Sequence, residues 1–175
     1  MTSAIAENTV EIQLNDGSHA LVDECDADLA EFKWTASTRK HGLAYAYRHA
    51  KREDGHWQTV YLHRAVLFRF REIPQGDVVD HINGNGLDCR RSNLRPATKT
   101  QNQANRRLQS RRSGGLKGVT FDKRREKWQA RVVRNGVQTS LGYFTTPEEA
   151  HQCYCDAMVA MHGEYANTAG AHDRA

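Results

Sequence analysis

Apolar and polar residues alternate over residues 10–14 (Val-Glu-Ile-Gln-Leu), and a period of two predicts a strand. Asn15-Asp16-Gly17 turns the chain, and residues 18–22 return as the second strand of a hairpin. Residues 26–32 predict a short helix, with Trp34 after it as a core anchor. Residues 43–49 and 57–63 predict a second hairpin around the Glu53-Asp54-Gly55 turn. Residues 64–70 predict a helix whose apolar side is Ala65, Val66, Leu67 and Phe68. Pro74 ends it, because proline disfavours helix in the residue before it.

The pattern changes at residue 78. Val78-Val79 runs into Asp80-His81, and Asn83-Gly84-Asn85-Gly86 forces a turn, since Asn and Gly tolerate left-handed backbone. Thr98 predicts an N-cap with Gln101 as its capping-box partner. The helix so opened carries Asn102 in its first turn and runs to Arg106 or Leu108. Residues 109–117 follow as a flexible cationic linker rich in serine, glycine and arginine.

Three further strands are predicted at residues 119–121, 128–134 and 137–143, with a two-residue Asn135-Gly136 hairpin turn. In the middle strand Trp128, Ala130 and Val132 share one face, and Gln129, Arg131 and Val133 the other. Thr146-Pro147-Glu148-Glu149 opens a helix. Its stripe of Ala150, Tyr154, Ala157, Met158 and Met161 is core packing, and Gly163 terminates it. The open face of this second sheet is expected to carry polar residues and no aromatic ring.

Charge sharpens this division. The 175 residues carry a net +4, yet residues 1–34 hold eight acids against Lys33 alone, net −7. Residues 99–134 hold twelve cations against Asp122 and Glu126, net +10. Such a block draws nucleic acid by neutralising phosphates. Cys25, Cys89, Cys153 and Cys155 form no Cys-x-x-Cys pair and no zinc spacing, so reduced thiols and a cytoplasmic setting are expected. No apolar run approaches the ~20 residues of a membrane span, and the N-terminus lacks a secretory pattern.

The chemistry that suits residues 78–102 is phosphodiester hydrolysis assisted by one metal ion. A hard cation such as Mg²⁺, with Mn²⁺ as the alternative, takes oxygen ligands. The Asp80 carboxylate and the Asn102 amide oxygen supply two. Neutral His81 can take a proton from water near neutral pH. Neighbouring side chains on a regular strand point to opposite faces. Asp80 and His81 can therefore serve one site only where the strand ends.

Asp80-His81, Asn93 and Asn102, with Leu62-His63-Arg64 upstream, resemble the HNH endonuclease family in its phage and intron homing form. The resemblance implies a ββα-metal fold, duplex DNA as substrate, Asp80 and Asn102 as metal ligands, His81 as general base and Asn93 as a brace for the loop. Asn105 shares the face of Asn102 and is the rival ligand. His63 is expected on a strand as a structural hydrogen-bonding group, with a site role as the alternative.

Gly118-Val119 with Trp128, Leu141-Gly142-Tyr143-Phe144, Glu148-Glu149-Ala150, Tyr154 and Ala157 resemble an Apetala-two/ethylene-response-factor DNA-binding domain. That resemblance implies a sheet lying in the major groove. By position it assigns Lys117, Thr120, Gln129, Arg131, Val133, Gln138 and Ser140 to the DNA face. Arg106, Arg107, Arg111, Arg112, Lys123, Arg124 and Arg125 add phosphate contacts.

The expected fold class is thus α+β. A β-rich platform with the nuclease motif occupies residues 1–108, the motif core being 60–108. The linker is 109–117. A three-stranded antiparallel sheet on one helix spans 118–168, and 169–175 is a tail. The expected function is site-specific nicking by a monomer, with a dimer as the alternative state. A DNA-binding regulator with an inert motif is the competing function.

Overall fold

A computed structural model of the chain describes residues 8–38, 44–106, 116–134 and 136–168. The chain divides between Ala97 and Thr98 into two compact units.

In the first unit, β1 (Thr9–Gln13) and β2 (His19–Asp23) form the expected hairpin, with Val10 opposite Val22 and Ile12 opposite Ala20. The acidic stretch Glu24–Glu31 is a 3₁₀ helix. A second antiparallel sheet has the order β3-β4-β5, from β3 (Thr35–Thr38), β4 (Ala44–Lys51) and β5 (Trp57–Tyr61). Helix α1 (Leu62–Leu67) starts directly after β5, so His63 lies in a helix rather than on the strand expected for it. Its buried side is Leu62, Val66 and Leu67; Phe68, expected on the apolar side, is 61% exposed. Strand β6 (Val78–His81) pairs antiparallel with β7 (Leu94–Ala97). These elements share one core, in which Ile12, Val22, Trp34, Leu62, Val66, Leu67 and Leu94 are buried together.

The second unit begins with α2 (Lys99–Ala104), capped as expected: Gln101 N donates to Thr98 Oγ1, and Thr98 N to Gln101 Oε1. Strands β8 (Val119–Asp122), β9 (Lys127–Arg134) and β10 (Val137–Phe144) form an antiparallel sheet in the order β10-β9-β8. Helix α3 (Pro147–His162) covers one face, opened by Thr146 and Glu149 in a capping box. Val132, Tyr154 and Met158 pack with Ala104 of α2, and Val119 with Ala130 and Ala150. Gly118, at φ +76°, lies so close to Tyr154 that any Cβ would collide with the ring. Helix α2 therefore packs with the C-terminal sheet and α3. Residues 107–115, which take in Arg107 and most of the expected 109–117 linker with Arg111 and Arg112, lie outside the described residues.

A bulge at Ser140/Gly142 alters the expected faces of β10. Across it, Ser140 pairs with Arg131 but Tyr143 pairs with Gln129. Tyr143 thereby joins the open face, 37% exposed, which corrects the expectation that this face bears no aromatic ring.

Candidate active site

Strand β6 ends on two buried polar residues. Asp80 is 2% exposed and His81 6%. In the ladder Asp80 stands opposite Arg95, and His81 opposite Leu94. Arg95 Nε donates to Asp80 Oδ2 at 2.9 Å, an ion pair with both side chains buried. The His81 ring packs nearly perpendicular to His63, with centroids 5.0 Å apart, and against Tyr45 at 5.8 Å. His63 is in turn stacked on Tyr61 and edge-on to Tyr45, both at 5.5 Å. Burial pushes the His81 imidazole down to about 4, although Asp80 and Asp88 pull the other way. At neutral pH the ring is therefore uncharged.

The loop after β6 is tied at several points. Asn93 Oδ1 accepts from Asn83 N at 2.9 Å, and Asn93 Nδ2 donates to Asp88 O at 2.7 Å. Ile82 N donates to Asn93 O, and Gly84 N to His81 O. Asp88, 2% exposed, receives Asn83 Nδ2 and a bidentate grip from Arg90. Burial opposes its charge, but the Arg90 hydrogen bonds and charge outweigh this and hold it below the usual carboxylate range. From outside the loop, Leu21 of β2 exchanges backbone bonds with Leu87 and Cys89. The fully buried Asp26 accepts from Arg91 at 2.8 and 3.0 Å and from Arg69 at 3.1 Å. The N-terminal acids are thus partly spent clamping Arg69, just after α1, and Arg91 of this loop. Tyr45, Asp88, Arg95 and the Asp26 clamp escape sequence reasoning, because their partners come from distant segments. His63 carries a signal in the sequence, but only folding sets it beside His81.

In the second unit, Asn102 on α2 is half-buried, whereas Asn105 at its C-cap is 7% exposed. The pairing register puts Thr120, Gln129, Arg131, Val133, Gln138, Ser140 and Tyr143 on the face away from α3. Gln129 Nε2 donates to Ser140 Oγ at 3.0 Å and to Tyr143 Oη at 3.1 Å. Arg125 lies over the Tyr143 ring at 4.5 Å and pairs with Asp122 at 3.2 Å. Lys123 and Arg124 are exposed in the β8–β9 turn, and Arg106 is exposed after α2. Lys117 departs from the expectation of a DNA-facing cation. Its ammonium donates to the carbonyls of Ala104, Arg106 and Asn167 at 2.8, 2.6 and 3.1 Å.

Residues 60–104 match the HNH endonuclease family. An uncharacterized HNH endonuclease, L560, of Acanthamoeba polyphaga mimivirus is 31% identical over 140 residues, covering 79% of this chain and 67% of that protein. The chain belongs to the HNH endonuclease family. Protein 3.8 of Escherichia phage T7 is 39% identical over 66 residues, 38% of this chain. The chain spans about half, 54%, of that relative's length. No solved structure matches.

HNH nucleases generally use a divalent metal. The donors here fit a hard ion on chemical grounds: the Asp80 carboxylate offers oxygen at the end of β6. Among the described residues no group of three or more His, Cys, Asp or Glu could hold a metal. Among the same residues no helix is long and apolar enough to cross a membrane.

Proposed function

We propose that this HNH protein is a metal-dependent, site-specific DNA endonuclease of the homing type, which nicks duplex DNA. The observation that carries this reading is His81. It is uncharged through burial, lies next to Asp80 at the end of β6, and is wedged against His63 and Tyr45. A neutral imidazole fixed in this way can take a proton from the attacking water. Asp80 and Asn102 are the assigned ligands of a divalent ion, Mg²⁺ first and Mn²⁺ as the alternative. Asn102 is preferred to Asn105 because it is the more accessible of the two. When bound, the ion would supply charge stabilisation for the phosphate and the leaving 3′ oxygen. Asn93 braces the loop that follows the strand.

The C-terminal sheet and helix are proposed to bind DNA as an Apetala-two/ethylene-response-factor-like domain. The three antiparallel strands on one helix support this, as do the uncovered Gln129, Arg131, Gln138 and Ser140. Lys123, Arg124, Arg125 and Arg106 would add phosphate contacts, and Arg107, Arg111 and Arg112 keep that role from the sequence alone. Thr120 and Val133 complete the face.

The alternative function, a DNA-binding regulator with an inert HNH motif, draws on one observation: Arg95 already neutralises the Asp80 carboxylate. A supercoiled-plasmid assay separates the two. Nicking that needs Mg²⁺ or Mn²⁺ and stops with chelator supports the nuclease; binding with no cleavage in either metal supports the regulator.

A further inference from the structure

We infer that Lys117 is a positioning residue that, within the second unit, docks helix α2, the carrier of Asn102, onto the β8–β10 sheet and helix α3. The inference rests on the proposed ligand role of Asn102 for its consequence, though not for its structural content.

Helix α2 has six residues, too few to hold a helix unaided in water. Its last carbonyls have no intrahelical partners of their own. They are met from outside the helix. Lys117 Nζ takes Ala104 O and Arg106 O, while Asn167 Nδ2 donates to Asn105 O at 2.9 Å. The same ammonium also holds Asn167 O, so one cation gathers the end of α2 and the segment after α3. Lys117 is itself fixed, because its carbonyl meets His151 Nδ1 on α3 at 2.9 Å. Gly118 beside it lies flush on Tyr154. Ala104 inserts between Val132, Tyr154 and Met158. A positive charge at a helix C-terminus is also favoured by the aligned peptide dipoles. Burial lowers this ammonium to about 8, so it remains charged at neutral pH.

A surface lysine that binds phosphate would behave differently, and Lys117→Met distinguishes the two in the full chain. Hydrogen exchange without metal should quicken at the amides of Asn102 and Asn105, while the β9–β10 ladder keeps its protection. DNA affinity and its salt dependence should not change. The Mg²⁺ concentration for half-maximal nicking should rise about tenfold, and the rate should fall by up to ~10²-fold, as small misplacements near a reacting centre do. Asn167→Ala removes the parallel bond and should give a milder form of the same pattern, which keeps the test available if Lys117→Met does not fold. Unchanged α2 exchange in both variants, or a lower salt slope in Lys117→Met with normal exchange, would overturn the inference. Asn102→Ala serves as the control: if it nicks normally, the ligand assignment fails while the exchange data still judge the docking.

Discussion

Asp80 and Arg95 face each other across the β6–β7 ladder, joined by a 2.9 Å bond from Arg95 Nε to Asp80 Oδ2 with both residues buried. A buried pair gains little over an apolar pair, but removing one member strands the other charge. Arg95→Met should therefore destabilise the metal-free protein by about 3–5 kcal/mol in urea unfolding. Combining it with Asp80→Asn should recover part of that loss, since neither member of the pair is then charged. A single variant as stable as the parent would mean that the pair contributes nothing to the hairpin.

His81 gives the fold a pH dependence of definite sign. Its folded value is about 4, below the ordinary 6.5, so the unfolded chain binds the extra proton between those values. The contribution is complete above pH 6.5 and is lost as pH falls toward 4, by an amount on the order of 3 kcal/mol. Urea midpoints in chelator at pH 7.5, 6 and 5 should fall more steeply for the parent than for His81→Phe. Parallel curves would show that this ring titrates normally.

Local features of the fold were legible in the sequence, and non-local ones were not. The two capping boxes, Thr98 with Gln101 and Thr146 with Glu149, need only residues three apart. The β1–β2 and β9–β10 hairpins announce themselves through turns and alternation. Strand β7 is invisible because Arg95 and Pro96 break its apolar pattern, and proline is tolerated there only where no ladder donor is needed. Tyr143 changes face through a bulge that alternation cannot register. Asp26 finds Arg69 and Arg91 at separations of 43 and 65 residues, beyond any local signal. Of the candidate site, Asp80, His81 and Asn93 stand out as a pattern of residue types. Their setting of Arg95, His63 and Tyr45 exists only after folding.

Asn93 joins Asn83 N to Asp88 O through one amide. Asn93→Ala leaves those groups without that partner, at about 1–3 kcal/mol for each one left unmet. Cleavage should fall steeply while DNA affinity holds, as read by gel shift beside plasmid nicking. Loss of affinity in step with cleavage would give Asn93 a direct part in binding instead.

The C-terminal face should show its phosphate contacts through salt. With about six to eight contacts, affinity should drop by roughly 10³ or more between 50 and 200 mM salt. Arg131→Ala should lower the logarithmic slope by about 0.9 if Arg131 meets a phosphate. Removal of residues 106–175 with binding left intact would move the grip to the N-terminal unit.

The most direct test of the account is His81→Ala on supercoiled plasmid with Mg²⁺ under single-turnover conditions, with DNA affinity measured in parallel in chelator. The nicking rate should fall by about 10²–10⁴-fold with affinity unchanged, the scale of a lost general base. Nicking at the parental rate would contradict the assignment of His81 and, with it, the mechanism proposed for this HNH motif.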